Sequence, residues 1–222
     1  MNQKIYKDTE HPNNNMIPGD LKSSPDESFS EKTLVFIDAG FLSKISKQLG
    51  NGKYIKYNIE RLSKILSSKE NLIYKKIFYY TSPPFQSPRP SKEESNRYSD
   101  YRKFKNKLKN DNIIIKEGKC QRLKINGEFR YKQKAVDTLL TLDLASISTD
   151  YPNIKKIILI ASDSDFIPVI EKIKTLKIKT ILYTYFNKKN RNSKFSSSNE
   201  LIKSVHKYKL LTKQDFEKAS LT

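Results

Sequence analysis

The stretch Ile157-Ile158-Leu159-Ile160-Ala161-Ser162-Asp163-Ser164-Asp165-Phe166 decides the fold class of this chain. Its first five residues form an apolar run, which predicts a strand that is buried on both faces, as in parallel sheets. Asp163 and Asp165 follow directly after that strand. In open α/β sheets, ligands bind outside the carboxyl ends of the strands. The stretch therefore predicts an α/β fold with a polar site at one edge of the sheet.

Two further segments place carboxylates in similar settings. The segment Leu34-Val35-Phe36-Ile37-Asp38-Ala39-Gly40-Phe41-Leu42 puts an aspartate after four apolar residues. The segment Lys134-Ala135-Val136-Asp137 opens a stretch with helical spacing that continues to Asp143. Carboxylates that converge at one place repel each other, and a divalent cation such as Mg²⁺ relieves that repulsion because it prefers oxygen ligands. The pattern indicates a metal site built from these acids.

Each acid also has a simpler structural interpretation. Aspartate is a good helix N-cap, and Asp38, Asp163 and Asp165 all stand where a turn or a helix could begin. At ~100° per residue, Asp143 falls inside the apolar arc of its predicted helix and Asp137 lies at the edge of that arc. A carboxylate on a buried face is costly unless it is hydrogen-bonded. We therefore expect Asp143 to accept hydrogen bonds from loop amides, and Asp137 to be the better candidate for metal binding.

The order of the predicted elements completes the fold prediction. Strands that alternate with helices imply a parallel sheet with helices on both faces, so we expect a three-layer αβα sandwich with a mainly parallel central sheet. Residues 1–31 are polar and aperiodic and predict a disordered tail, residues 32–210 predict the folded domain, and residues 211–222 predict a C-terminal helix or tail. The predicted strands are 33–38, 73–81, 113–116, 156–161, 179–185 and 207–210, with a hairpin of 119–125 and 128–133 about Asn126-Gly127. The predicted helices are 58–67, 92–110, 135–148, 165–176, 199–204 and a last one after Thr212, and residues 187–200 predict a mobile loop.

Composition excludes several classes of protein. Cys120 is the only cysteine, which excludes an intramolecular disulfide and argues against a cysteine-based zinc site. His11 and His206 are the only histidines, which argues against a catalytic triad or a metal site that depends on histidine. No apolar stretch approaches the ~20 residues of a membrane-spanning helix, and the N-terminus lacks the apolar region of a secretory signal. We therefore expect a cytoplasmic protein with no membrane partner.

The charge of the chain points to a polyanionic partner. The formal net charge is +19, and residues 1–31 carry three lysines against six acids, so the remainder carries +22. A domain this basic attracts nucleic acid, although a general coat of surface lysine would give the same total. Candidate phosphate contacts are Lys132 and Lys134 beside Asp137, Arg97 and Arg102 on the helix 92–110, and Ser162 near a predicted helix start.

Together these segments resemble the NYN family of PIN-like nuclease domains, and in particular its LabA-like branch. That branch has an apolar strand ending in Asp-Gly, then Lys-Gly-Val-Asp followed by Leu and Asp, then Ser-Gly-Asp-Ser-Asp-Phe with a proline soon after. The resemblance covers roughly residues 32 to 210. The corresponding residues here are Asp38 with Gly40, Lys134 with Asp137 and Asp143, and Ser162 to Phe166 with Pro168. The chain departs from the pattern at Ala39, Phe41, Ala135 and Ala161-Ser162.

The resemblance implies a metal-dependent ribonuclease that hydrolyses RNA phosphodiester bonds. Asp38, Asp137, Asp163 and Asp165 would be its catalytic residues, and the first three would hold one or two Mg²⁺ or Mn²⁺ ions. Such metal-assisted hydrolysis needs no histidine base, because a metal-bound water supplies the nucleophile. RNA would be the partner as well as the substrate, and a homodimer is left open.

Two alternatives use the same residues. One is a nucleic-acid-binding or regulatory protein on the same fold without turnover, which the departures at Ala39 and Phe41 allow. The other is a phosphatase of the haloacid dehalogenase type, because Asp163 and Asp165 follow a strand with the spacing of its nucleophile motif. That motif normally opens its fold, whereas here it lies late in the chain.

Overall fold

The computed structural model describes residues 31–110, 113–186 and 199–221 of the chain. The predicted tail, except its last residue, and most of the predicted loop 187–200 lie outside these residues. The strands within them are β1 (Glu31–Asp38), β2 (Leu72–Thr81), β3 (Ile113–Glu117), β4 (Lys119–Ile125), β5 (Glu128–Lys134), β6 (Lys156–Ile160), β7 (Lys179–Thr184) and β8 (Lys207–Leu210). The helices are α1 (Ala39–Leu49), α2 (Ile59–Ser68), α3 (Lys92–Asn110), α4 (Val136–Asp150), α5 (Ile167–Thr175), α6 (Asn199–Ser204) and α7 (Lys213–Lys218), with a 3₁₀ turn at Ser164–Phe166.

Six of these strands form one parallel sheet in the order β3-β2-β1-β6-β7-β8. The chain builds outward from β1 through β2 and β3, and then returns to place β6 on the other side of β1. In open α/β sheets, the crevice that binds ligands lies outside the carboxyl ends of the strands at such a reversal of strand order, which here is at β1 and β6. The register pairs Ile37 with Ile160, so β1 and β6 reach that crevice at the same level.

Alternation along the strands sends side chains into two separate cores. Leu34 and Phe36 of β1 face one core, and Val35 and Ile37 face the other, as the two-residue period of a strand requires. The first core packs against α4, α5 and α6, and the second packs against α1, α2 and α7. The predicted three-layer αβα sandwich is therefore confirmed, and its central sheet is parallel throughout.

Helix α1 was not among the predicted elements and is the main correction to them. Asp38 caps this helix, and Phe41, Leu42 and Ile45 recur at helical spacing on its buried face. Gly40 lies in its first turn, where glycine lowers helix propensity and obscures the pattern. The missed helix carries one of the charged residues of the site described below.

Other boundaries differ less from the prediction. The predicted helix 165–176 divides into the 3₁₀ turn and α5, because Pro168 fits only in the first turn of an α-helix. Helix α4 begins at Val136 and continues to Asp150, two residues beyond its predicted end. In the part of the chain that the structure describes, no helix is both long enough and apolar enough to span a membrane.

Strands β4 and β5 form a separate antiparallel hairpin, as predicted. Asn126 and Gly127 make its two-residue turn with φ values of 50° and 82°, the positive values that such turns require. Every residue of β5 is exposed. The base of the hairpin is tied to the sheet where the Gly118 N–H donates to the carbonyl oxygen of Thr81 at 2.8 Å. A Cβ on Gly118 would lie 2.3 Å from the carbonyl oxygen of Lys134, so only glycine lets the two strands close here.

The C-terminal helix α7 completes the second core. Phe216 is fully buried and meets Tyr57 edge-on, with ring centroids 4.9 Å apart. Asp215 accepts hydrogen bonds from the backbone N–H and the hydroxyl of Thr212, at 2.9 and 2.8 Å, which fixes the start of the helix. The same carboxylate pairs with Lys69 at the end of α2. Residues 213–218 are therefore part of the folded domain.

Substitution of Phe216 by alanine should lower the free energy of unfolding by about 3–5 kcal/mol, because it leaves a cavity where a ring was fully buried. Denaturant titration followed by circular dichroism measures this loss. Leu221→Ala is the matched control, since Leu221 is 46% exposed in the same segment and its truncation should change stability by no more than about 0.5 kcal/mol. Equally small effects from both substitutions would mean that α7 unfolds independently of the sheet.

Candidate active site

Asp38 is the last residue of β1 and the N-cap of α1. Its Oδ1 accepts a hydrogen bond from the backbone N–H of Phe41 at 3.1 Å, so its structural interpretation as a cap is correct. Burial is the main reason why the pKa of Asp38 is raised from 3.8 to about 6; the charge of Asp137 adds to this rise, and the Phe41 N–H opposes it. A Cβ on Gly40 would lie 3.2 Å from Asp38 Oδ1, so glycine leaves room beside this carboxylate.

Asp163 and Asp165 stand beyond the end of β6, on the other side of the crevice. Asp163 caps the 3₁₀ turn, because its Oδ1 accepts a hydrogen bond from the backbone N–H of Asp165 at 2.9 Å. Both aspartates are exposed, whereas Ser162 before them is half-buried. The cap uses Oδ1 of Asp163. Because the side chain is exposed, its carboxylate can still be reached from solvent.

Asp137 lies in the first turn of α4 and links the two sides of the crevice electrostatically. Its pKa is raised above the ordinary value by burial first, and then by the charges of Asp163 and Asp165. Ala135, before the helix, has a φ of 65° and provides no side-chain cap. The first turn of α4 therefore presents Asp137 to the crevice next to a strained backbone position.

Asp137 therefore lies within electrostatic reach of the acids at both strand ends: its charge raises the pKa of Asp38, and the charges of Asp163 and Asp165 raise its own pKa. Among the described residues, no three acidic, histidine or cysteine side chains stand close enough to hold a metal ion as they are. The donor chemistry nevertheless fits a hard divalent cation, because carboxylate oxygens are its preferred ligands. The raised pKa values of Asp38 and Asp137 come first from burial and then from neighbouring carboxylates, and a bound cation would oppose both causes. The acids are of the right kind for a cation, and they would have to draw together to bind one.

Sequence reasoning missed two residues at this site. Lys44, on α1, lowers the pKa of both Asp38 and Asp137, which places its ammonium group near the acids. A Cβ on Gly40 would lie 3.6 Å from Gln133 Oε1, which places that amide beside Asp38. Prediction of α1 would have drawn attention to Lys44. Gln133 could have been found from the alternation of side chains along β5, because that alternation puts Gln133 on the opposite face of the strand from Lys132 and Lys134.

The predicted nucleic-acid contacts do not form a single group. Lys132 and Lys134 are exposed on β5 and point to the face opposite Gln133, because side chains alternate along a strand. Arg97 lines a cavity of about 430 Å³ together with Gln133. Arg102 lines a different cavity, of about 530 Å³, on another side of α3. Of these four residues, Arg97 is the one that shares a cavity with a residue of the acidic site.

Asp143 has a structural role. The hydroxyl of Tyr80 donates to its Oδ2 at 2.7 Å, and Lys116 Nζ lies 3.4 Å from its Oδ1. Tyr80 is fully buried, and burial together with Asp143 raises the pKa of its hydroxyl, which keeps the hydroxyl protonated as a donor. Asp143 is therefore a hydrogen-bond acceptor, as expected. The prediction that loop amides would be its donors is wrong, because its partners are the side chains of Tyr80 and Lys116.

Comparison with known proteins gives one family match. A family model described as the NYN domain matches residues 32–209 of the chain. The match begins in β1 and ends in β8, so it contains all four aspartates. No curated protein sequence matches the chain.

Replacement of Asp38 by asparagine should stabilise the metal-free protein at neutral pH. The pKa of Asp38 is higher in the folded state, about 6, than its ordinary value of 3.8, so the folded state binds the proton more tightly. Wild-type stability should therefore fall as the pH rises through this window. The variant should gain about 2–3 kcal/mol at pH values above about 6 and nothing below about 4, from ~1.4 kcal/mol per pKa unit.

The measurement is a denaturant titration in EDTA at a series of pH values. Asparagine also caps helices, so the α1 cap is kept. Asp100→Asn, on the surface of α3, is the control for the loss of one carboxylate charge and should change stability by no more than about 0.5 kcal/mol. A gain for Asp38→Asn that is equal at all pH values would contradict the raised pKa.

Replacement of Asp143 by alanine should destabilise the protein by about 1–3 kcal/mol, because the buried Tyr80 hydroxyl loses its acceptor. Asp143→Asn keeps an oxygen that can accept this bond and should recover part of the loss. Thermal and denaturant unfolding measure both effects. If alanine costs no stability and asparagine changes only activity, Asp143 belongs to the reacting site and our assignment is reversed.

Proposed function

This chain belongs to the NYN domain family, and on that premise we propose that it is a metal-dependent ribonuclease that hydrolyses RNA phosphodiester bonds. NYN domains are part of the PIN-like nuclease superfamily. The segments Lys134–Asp137 and Ser162–Phe166 favour the LabA-like branch within the family. Membership of this family argues against the phosphatase alternative.

One observation carries the proposal: aspartates at the carboxyl ends of β1 and β6 act electrostatically on the aspartate at the start of α4, where the strand order reverses. Asp137 raises the pKa of Asp38, and Asp163 and Asp165 raise the pKa of Asp137. Asp38 and Asp137, whose pKa values are raised above the ordinary range, cost stability when they are ionised, and such perturbed groups cluster at functional sites. Carboxylates at the carboxyl edge of a parallel sheet also lie where a substrate can reach them. The strongly basic remainder of the chain would draw a polyanion toward this acidic crevice.

We assign the cation to Asp38, Asp137 and Asp163, with Asp165 at the edge of the site. A bound Mg²⁺ or Mn²⁺ would lower the pKa of the attacking water and neutralise charge on the phosphate. The chain prepares its own ligands, because the Phe41 N–H orients Asp38 and the Asp165 N–H orients Asp163. Cation binding should weaken as the pH falls, since carboxyl groups must be ionised to act as ligands.

Lys44 supplies the positive charge on the protein side of the crevice. Its ammonium group acts on both Asp38 and Asp137. A lysine so placed can hold a phosphate oxygen of the substrate as a point charge. We assign Lys44 to phosphate positioning, while Gln133 offers an amide to the same region.

The second candidate is a nucleic-acid-binding protein on the same fold without turnover. The separation of the acids favours it, since no three of them in the described ranges are close enough for one ion as they stand. Both candidates share the basic surface, so RNA binding alone does not separate them. Cleavage and the response to Mn²⁺ do.

The substitution Asp163→Asn should cut Mn²⁺-dependent RNA cleavage by orders of magnitude, because it removes a ligand charge while keeping size. RNA binding should be unchanged or slightly tighter, since one negative charge has left a site that faces phosphate. Added Mn²⁺ should raise the melting temperature of the wild type through linkage and raise that of the variant less.

Asp150→Asn, at the far end of α4 from Asp137, is the control for cleavage and should match the wild type. Cleavage of labelled RNA, fluorescence anisotropy and thermal melting supply the three measurements. If nuclease-free wild-type protein cleaves nothing with Mn²⁺ or Mg²⁺ and its melting ignores both, the protein is a binding module and not an enzyme.

A further inference from the structure

The β4–β5 hairpin carries a charge that the acidic site does not explain. Residues 119–134 contain six lysine or arginine residues and a single acid, Glu128. All of β5 is exposed, so this charge is presented to solvent along the whole length of the strand. A narrow, strongly basic arm beside an anionic crevice fits a polyanion as its partner.

One face of this hairpin is aromatic as well as basic. The strand pairs Arg122–Tyr131 and Lys124–Phe129 share that face. Arg122 stacks between two rings, 4.7 Å from the centroid of Phe85 and 4.5 Å from that of Phe129. The Phe85 and Tyr131 rings lie 5.8 Å apart. The stack fixes a row of rings, and yet Tyr131 stays 52% exposed and Phe129 57% exposed.

A cavity of about 430 Å³ opens beside Tyr131. Its volume falls in the range of small-molecule pockets, and its walls combine flat apolar surfaces with hydrogen-bonding groups. The flat surfaces come from Tyr131, Tyr101, Pro83 and Pro84, and the polar groups come from Arg97, Gln133 and Ser82. This is the combination that holds a nucleobase: rings to stack on, and donors and acceptors to meet its edge.

One residue that lines the cavity also lies beside an acid of the candidate site. Gln133 lines it, and Gln133 Oε1 lies beside the same Gly40 position that adjoins Asp38. On β5 the residues Phe129, Tyr131 and Gln133 point to one face in steps of two residues, or ~6.8 Å. The row of rings therefore runs along the strand toward the acidic crevice.

We propose that this face binds one unpaired nucleic-acid strand, with a base stacked on Tyr131 in the cavity and the neighbouring base on Phe129. The inference rests on the proposed nuclease function, because it names the form of substrate that reaches the acids. Arg97 and Lys124 neutralise the backbone, and Arg122 positions the rings by stacking between them. Bases in a duplex are already stacked and cannot offer their faces to a ring, so the site selects unpaired strand. A second copy of this chain is disfavoured as the occupant of this face, because two surfaces with the same positive charge repel each other.

The absence of tryptophan from the chain allows a direct test. Tyr131→Trp places a single tryptophan at the proposed stacking position. Its fluorescence can be excited apart from that of the tyrosines, and it falls when a base stacks on the indole ring. Titration in EDTA with a short single-stranded RNA should quench this fluorescence, and the same RNA annealed to its complement should not. Tyr208→Trp is the matched control, since Tyr208 is 43% exposed on β8 at the far edge of the sheet, and its fluorescence should not respond.

Affinity provides a second measurement on the same surface. Tyr131→Ala should weaken binding of single-stranded RNA about five- to 150-fold, the equivalent of ~1–3 kcal/mol per stacked base. Affinity for the duplex should stay within about twofold by the same argument, because that binding depends on phosphates. Tyr131 is more than half exposed, so the folded state should be intact, which circular dichroism verifies.

Three results would overturn the proposal. One is unchanged Tyr131→Trp fluorescence, whether or not anisotropy detects bound RNA; a second is equal quenching by the duplex. The third is quenching by a rise in protein concentration alone, which would make the face an interface between copies of the chain. Because EDTA prevents cleavage, the test is separate from catalysis. Quenching by single-stranded RNA in a protein that cleaves nothing would refute the nuclease and keep the strand site, and cleavage without quenching would do the reverse.

Discussion

The parallel pairing of β1 with β6 is the constraint on which the rest of this structure depends. These two strands come from distant parts of the chain, and their contact is the point where the strand order reverses. Strands that run in parallel end at the same edge, so Asp38 and the segment after Ala161 meet without any special loop. The helices that follow β1 and precede β6 then have to cover opposite faces of the sheet. One strand pair thus determines both the layering of the domain and the position of its acids.

Concentrating carboxylates at such a place opposes folding, and local backbone chemistry offsets part of that cost. Asp38 and Asp163 each accept a backbone N–H at the start of a helix or turn, a bond that favours the ionised carboxylate. Each residue therefore serves as a cap and as a site acid, and the two interpretations of these aspartates are compatible. For Asp137, which has no such bond among those described, burial and its acidic neighbours leave the pKa raised.

The sequence predicted the layers and the acids because both follow from short-range patterns. Apolar runs mark the buried strands, and an aspartate directly after such a run needs no tertiary information to be noticed. Lys44 was missed because Gly40 hid the helix that carries it. Asp143 was correctly expected to accept hydrogen bonds. Its partner Tyr80 lies on β2, however, and the residue pattern along α4 alone cannot identify it. The separation of Arg97 from Arg102 likewise depends on which loops pack beside α3.

The single residue between β5 and α4 has a mechanical consequence. Ala135 holds a left-handed conformation with φ of 65°, which glycine adopts without strain and alanine does not. It joins the last residue of the hairpin to the first turn of the helix that bears Asp137, with no slack on either side. One residue with a strained backbone thus joins the hairpin to that helix. The orientation of the hairpin and the position of the Asp137 carboxylate are therefore set by the same backbone torsion angles.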